Sequence, residues 1–446
     1  MEKMTVIVPA WNEEETLKNC VKKIQTHNPE AHLIIVNNGS TDGTQEWLEQ
    51  QELDSIYFDE GVQTLGKVFN TVLENFGVEE HVFFLWPQIM VGKDTLQEMV
   101  KTLRSMENVG VVGCCSDKKP YEQNIEVSSY EEMLELESER QKQEINDFCT
   151  LGSIGFCYAM KRELFEQIGS FDENLAYTDV MVDYQLRAVE ADYKNLISAK
   201  ACAFETEREN ENAIIHLRNA DRRTLRKKWN MNYFMLSANY KFNNLIHRSP
   251  EESFSVLEVG CDMGANLLGI KNQFPSCRIF GLEINQSAAE LGSHMADIQY
   301  GNIEEENVDF GEKFDYIIFG DVLEHLHNPK RTVAYCRELL KEDGRIIASI
   351  PNVMHISVMA QLLRGEFRYT DIGLLDKTHI HLFTQREIMK MFLEENYAIE
   401  QMQGVIYELE KDEEELLKKL MEISGEGVTE DMYKTYQYSV VARKQS

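Results

Sequence analysis

Residues 255–269 read S-V-L-E-V-G-C-D-M-G-A-N-L-L-G, a short apolar run rich in β-formers, followed by two glycines and the first turn of a helix. A strand, a glycine turn and a helix in this order place free backbone N–H groups and a helix N-terminus beside a ligand. Gly260 and Gly264 are spaced G-x-x-x-G, which differs from the G-x-G-x-x-G of dinucleotide enzymes. The pattern predicts either a nucleotide-like ligand or an ordinary strand–helix turn, and the residues that follow decide between the two.

Further strand patterns follow this turn, and several of them end in polar residues. Residues 278–283 (R-I-F-G-L-E) end in Glu283, which stands where a carboxylate can bind both ribose hydroxyls of an adenosine ligand. Residues 300–303 (Y-G-N-I) end a third strand, residues 314–321 (F-D-Y-I-I-F-G-D) form a fourth, and residues 345–350 form a fifth. Strands that alternate with helical patterns predict a doubly wound α/β sheet.

This half of the chain, from residue 251 to residue 446, resembles class I S-adenosylmethionine-dependent methyltransferases. The resemblance rests on V-L-E-V-G-C-D-M-G, the acid Glu283, D-V-L-E-H-L (residues 321–326) and S-I-P-N (residues 349–352). A dehydrogenase would share the first two marks and lack the last two. The resemblance implies a Rossmann-like sheet and S-adenosyl-L-methionine as the cofactor.

The resemblance also implies which residues bind this cofactor. They are Glu258, Gly260 and Gly264 at the methionine end, Glu283 at the ribose, Asn302 and Ile303 at the adenine, and Asp321 near the sulfonium. Asn302 stands where the family usually has Asp. An amide oxygen still accepts a hydrogen bond from the adenine amino group, so we expect binding to survive this change.

Residues 365–384 are polar and aromatic and resemble the substrate-covering segment of methyltransferases that accompany glycosyltransferases in bacterial surface-glycan systems. Methyl transfer to a sugar hydroxyl is an in-line displacement that needs a base to remove the hydroxyl proton. A histidine is the natural base near pH 7. We expect His379 as this base and His325 as the second candidate, with Asp376 orienting the imidazole. His325 could instead only cap or pack a helix, and His381 could face solvent.

The same segment raises the question of a metal ion, because Asp376, His379 and His381 lie close together in the sequence. Two imidazoles with one carboxylate suit a transition metal better than Mg²⁺. We expect no bound metal here.

The first half repeats the alternation of strands and helices, with strand patterns at residues 5–9 and 33–36. Residues 6–17 (V-I-V-P-A-W-N-E-E-E-T-L) and 34–44 (I-I-V-N-N-G-S-T-D-G-T), with G-S-F-D-E and D-Y-Q-L-R further on, resemble the nucleotide-binding half of family 2 glycosyltransferases. The resemblance covers residues 3–205 and implies a GT-A fold and a UDP- or dTDP-sugar donor. The implied donor-binding residues are Pro9, Ala10, Asn37, Gly39 and Lys67.

Three positions depart from that family. Asn37 replaces an Asp, and residues 85–88 (L-W-P-Q) stand where a D-x-D motif would chelate a divalent metal. Tryptophan and glutamine supply no anionic oxygen to Mg²⁺ or Mn²⁺. The acidic pair that would hold the general base falls on Val180 and Met181, and the nearby Asp179 could replace it only if the helix register shifts.

Two interpretations of the first half therefore stay open. It either transfers a sugar without metal, with cations such as Lys67 compensating the diphosphate, or it is a silent module that binds a sugar, a nucleotide or its neighbouring domain. The boundaries we expect are 1–215 for this domain, 216–250 for a linker and 251–446 for the methyltransferase domain.

The linker contains the most basic run of the chain, interleaved with aromatic residues: Arg218, Arg222, Arg223, Arg226, Lys227 and Lys228 with Trp229, Tyr233, Phe234 and Tyr240. Such a stretch either docks as a helix on acidic surfaces of its own domains or binds a phosphate-bearing acceptor.

Composition limits the other partners. The chain has 446 residues, with 76 acidic against 45 basic side chains and a formal charge of −31. A charge of this sign argues against binding to nucleic acid or to an anionic membrane. No apolar run approaches the ~18 residues of a membrane span, and the nine scattered cysteines predict reduced thiols. We expect a cytoplasmic protein without membrane insertion; its oligomeric state is open.

Taken together, these patterns predict a bifunctional α/β enzyme with two doubly wound domains. The expected product is an O-methylated sugar in a bacterial surface or flagellar glycan, with a glycan, a nucleotide-sugar or a glycoprotein as the acceptor. A scaffold without enzymatic activity is the competing prediction.

Overall fold

The computed structural model describes residues 3–119, 123–207 and 211–445, and for residues 211–218 the backbone alone. The described chain divides into two compact units. Unit 1 consists of Met1–Asn239, Asp262–Asn272 and Glu290–Met295, and unit 2 consists of Tyr240–Cys261, Gln273–Ala289 and Ala296–Ser446. Each unit is built around one sheet.

The sheet of unit 1 is mixed. Its strands are β1 (Met4–Ala10), β2 (His32–Asn37), β3 (Asp54–Tyr57), β4 (His81–Leu85), β5 (Ile89–Val91), β6 (Val109–Ser116), β7 (Phe148–Thr150), β8 (Cys157–Lys161) and β9 (Lys194–Glu205). They lie in the order β3-β2-β1-β4-β8-β6-β9-β5, with β7 paired to β9. Strands β1 to β4 are parallel to one another, and β8 runs antiparallel to β4 and β6. Because β1 and β4 are buried on both faces, their sequences are continuous apolar runs.

Eight helices of unit 1 are described. They are α1 (Glu14–His27), α2 (Thr44–Leu48), α3 (Leu65–Asn75), α4 (Thr95–Leu103), α5 (Tyr130–Arg140), α6 (Arg162–Ile168), α7 (Asp179–Glu190) and α8 (Glu211–Trp229). The hydroxyl of Thr64 caps α3 by accepting a hydrogen bond from the backbone N–H of Lys67. Capped amphipathic helices of this kind cover the sheet and bury their apolar faces against it.

Helix α8 contains most of the basic run predicted as a linker; the side chain of Arg218 lies outside the described residues. Lys228 Nζ lies 2.9 Å from a carboxylate oxygen of Asp172 and 2.8 Å from one of Asp183, and Trp229 Nε1 donates to Asp183. Asp183 is fully buried, so both partners satisfy a charge that would otherwise be costly to bury. The basic helix therefore docks on acidic side chains of its own unit, the first of the two predicted roles.

The sheet of unit 2 has seven strands. They are β10 (Ser255–Val259), β11 (Arg278–Glu283), β12 (Asp297–Tyr300), β13 (Phe314–Gly320), β14 (Leu340–Pro351), β15 (Tyr397–Ile406) and β16 (Thr435–Lys444). Their order is β12-β11-β10-β13-β14-β16-β15. The first five are parallel, and β16 is antiparallel to both of its neighbours. Since the chain leaves β10 in one direction for β11 and β12 and returns on the other side for β13, the carboxyl end of β10 is the switch point where ligands bind in such sheets.

The helices that follow β10 are α9 (Ala265–Gln273), α10 (Gln286–Gly292), α11 (Pro329–Leu339), α12 (Ile356–Leu363), α13 (Gln385–Glu394), α14 (Lys411–Ile423) and α15 (Glu430–Lys434). In unit 2, Leu257, Ile317 and Phe319 from the central strands pack in one core with Phe392 of α13. Helix α14 buries Leu417 and Leu420 and exposes its charged residues.

Both sheets confirm the predicted α/β fold class, a GT-A-like sheet followed by a class I methyltransferase sheet. Among the helices of the described chain, none combines the length and the apolar character that crossing a bilayer requires.

The turn after β10 leaves little room for a side chain at Gly260. Gly260 has φ +71°, and a Cβ placed on it would lie 2.6 Å from Cγ2 of Val322. Gly311 has φ +73° with nothing within 4 Å of its Cβ position. We expect Gly260→Ala to cost about 2–4 kcal/mol, since it adds overpacking to backbone strain, and Gly311→Ala to cost only the strain, about 1 kcal/mol.

Calorimetric melting of the full chain measures this difference. The two variants share the left-handed backbone and differ only in the collision with Val322. Equal shifts in the melting temperature of unit 2 would show that the turn has room for a side chain.

Candidate functional site

The carboxyl ends of β10, β11 and β13 bring polar side chains to one edge of the unit 2 sheet. Glu258, near the end of β10, is 1% exposed, and Glu283, at the end of β11, is 8% exposed. The backbone N–H of Gly260 donates to the carbonyl of Leu282 at 2.8 Å, which fixes the turn after β10 against β11. Gly264 has φ +89° and directly precedes α9. The edge therefore combines two glycines in the left-handed region with two buried carboxylates.

The residues predicted for the ribose and the adenine lie at the adjoining strand ends. A carboxylate oxygen of Glu283 accepts a hydrogen bond from the N–H of Asn285 at 2.8 Å, which holds its side chain at the end of β11. The amide oxygen of Asn302 accepts from the N–H of Glu304 at 3.0 Å, and Ile303 is 3% exposed. A carbonyl oxygen has two lone pairs, so Asn302 keeps one for a ligand.

Asp321 follows β13 with its backbone in the left-handed region, at φ +57°. Its carboxylate accepts hydrogen bonds from Ser349 Oγ at 3.1 Å and from the side-chain amide of Gln437. Lys241 Nζ lies 3.6 Å from the same carboxylate. The sequence patterns predicted Asp321 but missed Lys241 and Gln437, because these partners are distant in the chain and carry no local motif.

Two histidines and one glutamate meet beside Asp321. Nδ1 of His379 lies 3.1 Å from the carbonyl oxygen of Leu374, and Nδ1 of His325 lies 3.1 Å from that of Thr378. A carbonyl oxygen only accepts, so in each neutral imidazole Nδ1 carries the proton and Nε2 keeps its lone pair. Nε2 of His379 faces a carboxylate oxygen of Glu324 at 4.0 Å, and the two imidazole rings lie 4.8 Å apart, centroid to centroid. The histidine predicted as the base therefore presents a basic nitrogen at Nε2.

Glu324 is the residue of this cluster that the sequence analysis did not select. Its side chain is 1% exposed, and neither carboxylate oxygen has a hydrogen-bond partner in the described part of the chain. Burial, reinforced by the charge of Asp321, raises the pKa of Glu324 to about 8. At neutral pH it is therefore mostly a carboxylic acid that can donate a hydrogen bond. The available signal was its spacing, three residues after Asp321 in D-V-L-E-H-L.

The main chain of Glu324 also holds the segment that carries His379. Its carbonyl oxygen accepts from the N–H of Ile380 at 2.9 Å and from that of His381 at 3.0 Å. These two hydrogen bonds fasten the segment of residues 376–381 to the short 3-10 turn that bears Glu324 and His325.

Asp376 and His381 have partners other than those predicted. The carboxylate of Asp376 accepts from the N–H of Thr378 at 2.8 Å and from its hydroxyl at 2.6 Å, so it shapes the turn, while Leu374 orients His379. Nε2 of His381 lies 3.2 Å from the carbonyl oxygen of His327. In the described part of the chain, the side-chain nitrogen and oxygen atoms that lie within 4.8 Å of one another belong to Glu324, His325 and His379, and not to the set of Asp376, His379 and His381 that the sequence raised as a metal question.

In unit 1, the residues predicted to bind a nucleotide lie around a small pocket. Pro9 and Ala10 line it together with Trp11, Glu13, Asn38, Val62, Gln63, Leu65, Trp86, Ala176 and Tyr177. Asn37 is fully buried, and its amide donates to Gln45 and accepts from the N–H of Ser40. Asn38, and not Asn37, is therefore the amide that faces this pocket.

Gly39 and Lys67 do not line this pocket but contact residues next to it. A Cβ on Gly39 would lie 2.7 Å from the backbone of Gly61, so the glycine lets two loops approach closely. Lys67 Nζ donates to the side-chain oxygen of Gln63 at 2.9 Å. These two residues shape the pocket through packing and through Gln63.

The residues at the position of the D-x-D motif do not fit a divalent metal. Trp86 is 3% exposed, Gln88 is fully buried, and neither offers an anionic oxygen. The indole of Trp86 packs against Phe69, Phe156 and Tyr158, with ring centroids 5.7–6.0 Å away. An aromatic cluster stands where the family would hold its metal ion.

Asp179, the remaining candidate base of unit 1, begins α7 and is 5% exposed. Nε of Arg222 lies 3.2 Å from its carboxylate, and the Arg222 guanidinium lies 5.7 Å from the ring centroid of Phe234. Both Asp179 and Arg222 line a cavity of about 950 Å³, which also contains a buried ion pair between Lys119 and Glu205.

Comparison with known proteins assigns both halves of the chain. Residues 5–169 match the model of glycosyl transferase family 2, and residues 211–402 match that of a methyltransferase domain. The mitochondrial ubiquinone biosynthesis O-methyltransferase of Dictyostelium discoideum is 24% identical over 184 residues, which are 37% of this chain and 56% of the relative. The glycosyltransferase GlyA of Streptococcus pneumoniae is 27% identical over 180 residues, 37% of this chain and 25% of the relative.

Among solved structures, the mannosyltransferase PcManGT from Pyrobaculum calidifontis is 22% identical, with a TM-score of 0.36 and coverage of 51% of this chain and 62% of that one. The two matched models give a glycosyl transferase family 2 match followed by a methyltransferase-domain match, and the chain spans only 56% and 25% of the length of the Dictyostelium and Streptococcus relatives. The chain carries a glycosyltransferase family 2 domain followed by an S-adenosylmethionine-dependent methyltransferase domain, as the sequence patterns predict.

Glu324 makes the stability of unit 2 depend on pH. The folded protein keeps its carboxyl proton up to a pKa of about 8, whereas the unfolded chain loses it near the ordinary value of 4.5. Between these values the folded state binds more protons, so stability falls as pH rises. Relative to the parent, we expect Glu324→Gln to gain on the order of 3 kcal/mol between pH 5 and pH 8.

Melting temperatures across this range measure the effect. The control is Glu304→Gln, because hydrogen bonds from the N–H groups of Asn328 and His327 lower the pKa of Glu304, against an opposing effect of burial. Its difference from the parent should stay constant above pH 6. Parallel curves for the parent and Glu324→Gln would show that Glu324 is ionised in the folded protein.

Proposed function

We propose that unit 2 is an O-methyltransferase that acts on a sugar of a bacterial surface or flagellar glycan, and that the glycosyltransferase domain transfers or binds a sugar of the same glycan. The observation that carries the proposal is the basic Nε2 of His379 facing buried Glu324 beside Asp321. The alternative is a methyltransferase whose first domain is a silent binding or interaction module.

The cofactor's residues fit this proposal. Gly260 and Gly264, at the two ends of the turn after β10, carry no side chain, and Glu283 is a buried carboxylate at the next strand end. These residues would hold the methionine end and the ribose of S-adenosyl-L-methionine, with Asn302 and Ile303 at the adenine. When bound, the cofactor supplies an electrophilic methyl group on a sulfonium.

The protein's part in the reaction is to orient the acceptor and remove its proton. Leu374 fixes the tautomer of His379, so Nε2 can take the proton of a hydroxyl group as the new bond forms. Burial, partly offset by the Leu374 carbonyl, lowers the pKa of His379, which keeps the imidazole unprotonated at neutral pH. Glu324 can donate its proton in a hydrogen bond to a second oxygen, such as the neighbouring hydroxyl that a sugar offers.

A sugar acceptor is supported by the domain to which the methyltransferase is joined. Glycosyl transferase family 2 acts on sugars, and tethering two such domains raises the effective concentration of a shared substrate. The resemblance of residues 365–384 to substrate-covering segments of surface-glycan methyltransferases points the same way.

Binding of the cofactor can be measured directly by titration calorimetry on the full chain. We expect S-adenosyl-L-methionine to bind, and Glu283→Gln to weaken it about tenfold or more, because a buried charged hydrogen bond is worth about 1.5–3 kcal/mol. The exposed Glu338→Gln on α11 should bind as the parent does. A parent chain that does not bind the cofactor would favour the scaffold interpretation.

Glycan from a strain lacking the gene is the acceptor for the second test. With it and labelled cofactor, His379→Ala should lower the methylation rate about 10²–10⁴-fold, the usual contribution of a general base, and leave cofactor affinity unchanged. His381→Ala is the matched control, since its Nε2 already contacts a backbone carbonyl. A near-normal rate for His379→Ala at saturating cofactor would exclude it as the base.

Mass spectrometry of the same glycan distinguishes the two interpretations of the first domain, a sugar transferase and a silent binding module. If the strain lacks only a methyl group, then unit 2 acts alone. If it lacks a whole methylated sugar, then both domains transfer.

A further inference from the structure

One stretch of unit 2, residues 362–382 (the apolar segment), exposes large apolar side chains at a higher density than the rest of the chain. It contains seven of the twenty large apolar side chains that are exposed among the described residues: Leu362, Leu363, Phe367, Tyr369, Ile372, Ile380 and Leu382. Exposed apolar side chains are ordinary when they are scattered, whereas a group of them marks an interaction surface.

Backbone hydrogen bonds give the apolar segment a fixed shape. The N–H of Thr370 donates to the carbonyl of Leu375 at 2.9 Å, and the N–H of Lys377 donates to the carbonyl of Thr370 at 3.0 Å. Leu375 is buried in one cluster with Val358 of α12. Ile372 lies in the loop that these contacts close, and it is 72% exposed. A surface that is already ordered loses little conformational entropy when it binds a partner.

The charges of the apolar segment cancel, although the chain as a whole carries a formal charge of −31. Arg364 and Arg368 lie 3.9 Å and 2.9 Å from the carboxylate oxygens of Glu366. Lys377 Nζ lies 2.6 Å from a carboxylate oxygen of Asp371. Two acidic chains repel each other within the ~8 Å Debye length of physiological salt, and they repel least where their surfaces are neutral. A neutral apolar surface is therefore the place where two copies can meet.

A lipid bilayer fits this surface less well than a second copy does. Arg368 and Asp371 are 75% and 84% exposed, and hydrocarbon would leave their charges without hydrogen bonds. The polar rim of a protein interface can supply these bonds, and tyrosine, phenylalanine and arginine are enriched at such interfaces.

The composition of the apolar segment also suits contact with itself. In a dimer with a two-fold axis, one surface patch faces the same patch of the other copy. Apolar side chains with both charge signs among them are complementary to themselves in this arrangement. The length of the segment is close to the roughly 20–30 residues that one partner contributes to an interface of standard size.

We propose that two copies of this chain associate through their apolar segments about a two-fold axis. Tyr369 and Ile372 lie at the centre of the contact, and the charged side chains of the segment form its rim. The proposal goes beyond the proposed function and does not depend on it, because association is measured on the protein alone.

Sedimentation velocity of the full chain at a series of concentrations measures this association. The parent should form a dimer that dissociates on dilution. Ile372→Asp should raise the dissociation constant about tenfold or more, because it places an unpaired carboxylate against an apolar surface. Tyr369→Asp should act in the same direction. The matched control is Ile423→Asp at the end of α14, which makes the same change at a side chain that is 79% exposed and should leave the association unchanged.

Salt and lipid distinguish this contact from its alternatives. Screening weakens the repulsion between two acidic copies, so the dimer should be at least as stable in concentrated NaCl. The parent should not float with phosphatidylcholine vesicles. The melting temperature of each variant is measured beside the parent's, so that a loss of folding is recognised. The proposal is overturned by a parent that is monomeric at every concentration, by flotation with the vesicles, by dissociation in NaCl, by a dimer that both folded variants leave intact, or by an equal loss in Ile423→Asp.

Discussion

The carbonyl oxygen of Glu324 accepts hydrogen bonds from two backbone N–H groups, those of Ile380 and His381, and the arrangement of the proposed methyl-transfer site depends on this contact. It fastens a surface segment with many exposed residues to the turn that follows β13. The same residue sends its carboxyl group inward, where it faces Nε2 of His379. A backbone contact thus fixes the segment that carries His379, the proposed base, and the side chain of the same residue faces its imidazole.

The two units differ in the side chains that lie at the carboxyl ends of their parallel strands. In both, polar or catalytic groups should gather at the carboxyl ends of parallel strands. Unit 2 places Glu258, Glu283 and Asp321 there, each at a strand end or just beyond it. Unit 1 keeps the strands but follows β4 with Trp86, whose ring is buried among other aromatic rings. Aromatic side chains thus pack at the edge of the unit 1 sheet where the resemblance implies a metal ion.

Local patterns predicted most of the fold, whereas the roles of the residues expected to bind the cofactor stay predictions. The apolar runs of β1, β2, β10, β11 and β13 and the glycine turn are short-range signals, and they predicted the strands to within a residue or two. Strand β15 was missed, because its buried and exposed positions are irregular. Its alternation is broken by a register shift between Ile399 and Gln401.

The acceptor site could be predicted only in part. His379 and His325 do lie together, but the partner that faces them is Glu324, more than 50 residues before His379 in the sequence. Asp376, adjacent in sequence, turns to Thr378 because a carboxylate two residues before a free N–H closes a local turn more easily than it reaches across a loop. Spacing in the sequence thus predicted two histidines that do lie together, but it did not predict Glu324 as their neighbour.

Strand β16 has a consequence for how the protein is made. It lies between β14 and β15 in the sheet, although residues 435–444 are synthesised after both of its neighbours. Gln437, which donates to Asp321, arrives with it. The strands of unit 1 all lie within residues 4–205 and can assemble while the ribosome is still translating. The methyl-transfer edge, by contrast, stays open on one side until β16 is inserted, so the nascent chain holds a folded first sheet long before its second site is complete.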